Sequence, residues 1–235
     1  MVTNGIQHLT VTFDLNGVQR IINPTLIWDD NSAVLVDAGF PGQAPAIRAV
    51  IESTGVPFSR LRTIVVTHLD WDHIGGLAEI VAAAPGVDVL AHEQEKPFIQ
   101  GDETFVKSPQ RNATGPAPTF TVPDFARTKV TKQAGDGDVL ETSGGVDIIH
   151  TPGHTLGHIS LYHRQSRTLI AGDALNVVNG NLVGPNPLYT HDLNQATESL
   201  KKLANYDIRT VICYHGGAFS EDPSKRIAEL ARGEQ

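Results

Sequence analysis

The chain is poor in sulfur: Cys213 is its one cysteine and Met1 its one methionine in 235 residues. No intrachain disulfide can form, and a reducing, cytoplasmic setting is the expectation. No apolar run approaches the roughly 20 residues needed to span a bilayer, which argues against a membrane partner. The opening segment MVTNGIQHLTVTF lacks a basic stretch followed by an apolar one, so it reads as mature protein. Positive charge is scarce as well. The 18 Lys and Arg against 26 Asp and Glu leave a formal net charge of −8. That balance argues against a nucleic-acid partner, which would need a basic face, and leaves a small-molecule substrate as the expectation. A chain of this size can bury a core without help from a metal. Any metal ligands it carries therefore need a reason other than folding.

What is present is a set of short strands, each followed by residues that carry chemistry. Ile6–Phe13 alternates apolar and polar positions, and Asn16-Gly17 has hairpin-turn character. Ile21–Trp28 and Ala33–Val36 read as further strands. Gln43–Ser53 has helical spacing, with Ala46, Ile47, Val50 and Ile51 on one stripe. Arg62–Thr67 is an apolar, β-branched run that suits a buried strand. Leu77–Ala84 reads as a helix, Val87–Ala91 as a strand and His92–Gln100 as a short helix. After Lys129 strands are expected at Asp138–Leu140, Val146–His150, Ile159–Tyr162, Thr168–Ala171 and Thr210–Cys213. Helices are expected at Asp192–Tyr206, with Asp192 as its N-cap, and at Pro223–Ala231. Residues 101–128 are rich in Pro and Phe with no clear period, the character of a lid or binding loop. Residues 97–134 hold Lys107, Arg111, Arg127, Lys129 and Lys132 against Asp102, Glu103 and Asp124, a slight local excess of positive charge.

Four of the apolar strands run into ligand-type residues. Arg62–Thr67 delivers His68-Leu69-Asp70-Trp71-Asp72-His73, four imidazole or carboxylate groups in six residues. Val146–His150 leads into Thr151-Pro152-Gly153-His154-Thr155-Leu156-Gly157-His158. Thr168–Ala171 leads to Asp173, and Thr210–Cys213 to His215. Imidazole and carboxylate are natural ligands for zinc, iron and manganese. In layered α/β folds the loops beyond strand ends are where sites assemble, so four such endings in one chain point to one site.

From Asp37 to His215 the set resembles the metallo-β-lactamase superfamily, whose usual signature is His-x-His-x-Asp-His followed by a distant His, an Asp and a last His. The resemblance implies one domain over 1–235 of the α/β class: a four-layer αβ/βα sandwich, two central mixed sheets with helices on both outer faces. It implies two divalent ions. The first would be held by His68, Asp70 and His154, the second by Asp72, His73 and His215, with Asp173 bridging them. Asp70 departs from the usual pattern, where a second histidine stands. Zinc is the expected metal; the added carboxylate makes such a site less positive, and its harder oxygen brings iron or manganese in as alternatives. Asp72 is also a candidate proton acceptor. His158 is either a hydrogen-bond partner of the ligands or a core histidine, and Tyr189 is a candidate of the same kind. Tyr214 is expected to pack as an aromatic, and His92 and His150 to be structural.

The resemblance, similar to its glyoxalase II and lactonase branches, implies hydrolysis of an ester, thioester or lactone by a monomer or homodimer. Iron-dependent oxygenase or persulfide dioxygenase chemistry on one metal, and phosphodiesterase chemistry, are the alternatives.

Overall fold

The computed structural model describes residues 4–15, 17–107, 119–120, 123–124 and 126–234. Two six-stranded sheets form its centre. The first runs, in spatial order, Gly5–His8, Thr25–Trp28, Ala33–Val36, Leu61–Val65, Asp88–Ala91 and Lys132–Gln133. The second runs Val139–Leu140, Val146–His150, Ile159–His163, Thr168–Ile170, Thr210–Cys213 and Gly217–Phe219. Both are mixed. Ala33–Val36, Leu61–Val65, Asp88–Ala91 and Lys132–Gln133 are parallel neighbours, as are Thr168–Ile170 and Thr210–Cys213.

Three buried apolar clusters show how the layers stack. Val34, Val36, Val65 and Leu90 of the first sheet meet Val146, Ile148, Leu161 and Ile170 of the second. The alternate residues Leu35, Ile64 and Val89 point the other way, onto Ile47 and Ile51 of the helix Ala44–Ser53 and Leu77 and Ile80 of Leu77–Ala83. Across the molecule Ile149, Leu169 and Val211 cover Leu200 and Leu203 of Leu193–Leu203 and Ile227 and Leu230 of Pro223–Ala231. Helix, sheet, sheet, helix is the expected αβ/βα sandwich. A strand buried on both faces must be apolar at successive positions, which is why Ala33–Val36 and Thr210–Cys213 read as continuous runs. Each fully buried Leu or Ile in them contributes roughly 1.5–3 kcal/mol.

The structure moves several boundaries. The long first strand is two, Gly5–His8 and Val11–Leu15, and Ile21–Trp28 divides into Val18–Ile22 and Thr25–Trp28. Pro24 lies in that second break, where Leu9 N–H donates to its carbonyl at 2.6 Å. The hairpin closes as expected, with Leu15 opposite Val18 and Gly17 at φ 79°. The helix expected over His92–Gln100 is confined to Lys96–Gln100. A hairpin, Asn176–Val178 with Asn181–Val183, and the edge strand Gly217–Phe219 were not expected from the sequence. Asp192 caps its helix as expected, accepting from Gln195 N–H at 2.9 Å. Much of the lid expected over 101–128 lies outside the described residues. Within it, Phe105–Val106 pairs antiparallel with Thr119–Phe120. No helix among the described residues is long and apolar enough to cross a membrane.

Candidate metal centre

Four loops meet at one edge of the sandwich, each leaving the C-terminal end of a strand. One loop comes from the first sheet and three from the second. Ile159 N–H donates to the Thr67 carbonyl at 3.0 Å, which ties the two sheets together beside the site. The loops bring together His68, Asp70, Asp72, His73, His154, Asp173 and His215. His73 stands on the one-turn helix Trp71–Ile74.

Their donor atoms fall into three groups whose atoms lie within 4.8 Å of one another. These are His68, Asp70 and His154; Asp72, His73 and His215; and His68, His73 and Asp173. Asp173 faces both sides. Its Oδ1 is 3.3 Å from His73 Nε2, and its Oδ2 is 3.6 Å from His154 Nε2 and 3.5 Å from His215 Nε2. Asp72 Oδ2 is 3.1 Å from His215 Nε2 and 3.8 Å from His73 Nε2. Ligands about 2.1 Å from a tetrahedral ion stand roughly 3.4 Å apart, so these spacings suit a shared cation. A second observation agrees. His68 Nε2, Asp70 Oδ1, His73 Nε2 and Asp173 Oδ1 are buried with no hydrogen-bond partner. Unpaired buried polar atoms are costly, and four aimed at one another call for a positive centre. The residues present therefore fit a divalent metal.

The neighbours of the histidines prepare those nitrogens. Asp37 accepts from Thr67 N–H at 2.8 Å, from the Thr67 hydroxyl at 2.9 Å and from His73 Nδ1 at 2.9 Å. With Nδ1 donating, His73 presents the lone pair of Nε2 to the cluster. Thr67 has one hydroxyl proton and gives it to Asp37, so its oxygen accepts from His68 Nδ1 at 3.0 Å. That assigns Nε2 of His68 as the free base. Asp37 reaches this position at φ 65°, a left-handed conformation uncommon outside glycine. Burial opposes a charge on His73, but Asp37, Asp72 and Asp173 outweigh it and hold the ring well above its usual range. The field that favours a proton there also favours a metal cation.

His158 is a hydrogen-bond partner behind the site. Its Nδ1 is 2.9 Å from the Thr151 hydroxyl, and its Nε2 accepts from Asp173 N–H at 3.0 Å, which fixes the backbone that presents Asp173. Burial, with the nearby His154 adding to it, keeps His158 well below its usual range, so it stays neutral. Tyr189 lies on the open side, exposed on a cavity wall. Tyr214 packs its ring 3.8 Å from that of His73 and also donates its hydroxyl to the Asp72 carbonyl. His92 and His150 stack on each other at 4.1 Å, away from the seven. Cys213 is buried, and burial pushes its thiol well above the usual range.

Two residues of the site were not singled out from the sequence. Glu95, fully buried, accepts from Leu69 N–H at 2.8 Å, 26 positions before it, and from Gly157 N–H at 2.7 Å, 62 positions after it, and so joins the two histidine loops. Burial raises its carboxyl to about 7, against the hydrogen bonds it accepts from Gly157 and Leu69. Lys107, 1% exposed, places Nζ in contact with Asp70 Oδ2 and 3.0 Å from His154 Nε2. It had registered only as part of a charge excess. No local signal marks a lysine that turns inward.

A sandwich with His and Asp loops converging on one edge is the class of protein that fold and site define. The chain belongs to the metallo-beta-lactamase superfamily, whose model matches residues 17–215. It is 31% identical to the probable metallo-hydrolase YflN of Bacillus subtilis over 80% of this chain and 76% of that protein. It is 30% identical to a hydroxyacylglutathione hydrolase of Aliivibrio salmonicida over 82% of this chain, spanning 62% of that relative. A crystal structure of a metallo-beta-lactamase family protein from Thermus thermophilus superposes with a TM-score of 0.73 at 25% identity, covering 98% of this chain and 79% of that one.

Proposed function

We propose that the protein is a metal-dependent hydrolase of a thioester, ester or lactone with an apolar acyl part. The observation that carries this reading is the set of four unpartnered buried donor atoms, two of them on residues, Asp70 and Asp173, that line a cavity of about 1160 Å³. Asp70, Asp72, Asp173 and His215 reach that cavity, and Ile21, Phe40, Val177 and Tyr189 form much of its apolar wall. A hydrolase needs polar groups converging at one end of a mostly apolar cleft. The likeness to hydroxyacylglutathione hydrolase supports a thioester first.

Asp72, His73, His215 and Asp173 are the residues that would hold a divalent ion on the cavity side. Such an ion, when bound, supplies Lewis acidity toward a carbonyl and acidifies water. The chain does the rest. Asp37 and Tyr214 hold the His73 ring and the Asp72 backbone in place. Asp72, partly exposed, is the carboxylate placed to take up a proton from the reacting water or return it to a leaving thiolate or alkoxide. The apolar wall excludes water from the acyl chain and orients it. Purified protein loaded separately with zinc, manganese and iron(II) should hydrolyse at least one thioester, ester or lactone from an acyl-length series. Absence of turnover with every metal, or oxygen consumption instead of hydrolysis, would overturn the reading.

A further inference from the structure

We propose that Lys107 is the resident cation of the pocket formed by His68, Asp70 and His154, and that the chain therefore holds one divalent ion, not two. The inference rests on the reading of the cluster as a metal centre and concerns how many ions it takes.

Lys107 is the largest of the fully buried side chains, and its placement is built rather than incidental. Phe105 and Lys107 stand on one side of an extended segment, with Val106 between them turned to solvent. Phe105 is anchored between Phe98, at 5.3 Å, and His191, at 5.2 Å. The alternation of an extended chain then sends Lys107 inward two residues later.

The acceptors it meets are prepared for an ammonium. Thr190 gives its hydroxyl proton to the Asn186 carbonyl at 2.7 Å, so His154 Nδ1 is the donor in the 3.3 Å contact between them. His154 Nε2 then carries the ring's single lone pair. Asp70 Oδ2 lies 3.0 Å from that nitrogen. Two acceptors that close repel each other unless a donor serves both, and Lys107 Nζ does. A metal ion in this pocket would need the same His154 lone pair, which Lys107 already occupies. Charge points the same way: Lys107 already meets part of the negative charge of Asp37, Asp70, Asp72 and Asp173 that a second ion would otherwise meet.

The test is metal content of the whole protein after zinc loading and desalting, repeated with manganese, beside mass-spectrometric mapping of reductive methylation. The unaltered protein should hold one ion per chain, with Lys107 protected from methylation. Lys107→Met, which keeps length and removes charge, should rise to two ions. Two ions in the unaltered protein, a Lys107 that methylates as fast as surface lysines, or a folded Lys107→Met that still takes one ion would each overturn the proposal. Should that variant fail to fold by circular dichroism, the first two measurements decide. Zero ions in the unaltered protein would overturn the metal reading and this one together. One ion without hydrolysis of any substrate in the series would overturn only the hydrolase reading.

Discussion

The two halves of the cluster differ in what closes them. His68, Asp70 and His154 are buried, and a lysine from the chain itself fills the space between two of them. Asp72 and His215 are partly open, His215 with 38% of its side chain exposed, and they face the cavity. A closed pocket with an internal cation suits holding charge and geometry. A pocket whose ligand residues are partly exposed to the cavity suits exchange of water and substrate. The same residue types thus serve different ends according to what packs against them.

The largest expected effect comes from removing what the halves share. Asp173→Ala should lose bound metal and lower kcat/KM by about a thousandfold or more, since its two oxygens face both sides. Retained metal content in that variant would show that the halves do not depend on each other. Next, His215→Ala and His154→Ala separate them. The first should lose metal. The second should keep its single ion, because the partner it deprives is Lys107. Equal loss from both would erase the contrast.

Asp37→Asn tests the support of the open half. An amide presents one acceptor to the three donors Asp37 now serves, so His73 is less firmly held. Metal affinity should fall roughly 10- to 100-fold, as for other partners of ligating histidines, with little change in the fold by circular dichroism. Unchanged affinity would mean that packing against Tyr214 alone orients the ring.

The smallest effect concerns Glu95, which joins the loops of both halves. Its carboxyl is raised from 4.5 to about 7, so the folded protein keeps a proton that the unfolded chain gives up. The stabilisation is full below pH 4.5 and fades as pH rises through about 7, a change on the order of 3 kcal/mol. Glu95→Gln, which cannot titrate, should start less stable in metal-free protein at pH 5. The gap should narrow by several degrees in Tm by pH 8. A gap constant across that range would show that Glu95 titrates normally.

The strands and helices that decide the layers were legible because each shows either a continuous apolar run, as Ala33–Val36 does, or a face buried at a fixed period, as Leu193–Leu203 does. The seven site residues were legible because each lies a few residues beyond an apolar strand, in short segments dense in His, Asp and Gly. The hairpin at Asn176–Val183 was not: each of its strands opens on an asparagine and holds only two apolar residues. Neither was the split of Ile21–Trp28, where a proline interrupts an otherwise strand-like pattern.

The sequence alone determined the apolar periodicities and the order of ligand-bearing loops, and through them the superfamily and the side of the sheets on which its site forms. Each periodicity and each ligand-bearing segment is local, written in one short run of consecutive residues. Tertiary structure alone decided which groups complete the site. Glu95 spans two loops, and Lys107 turns inward to His154 across 47 positions. A buried charge is tolerated only where distant partners meet it, and nothing in its own neighbours along the chain records that meeting.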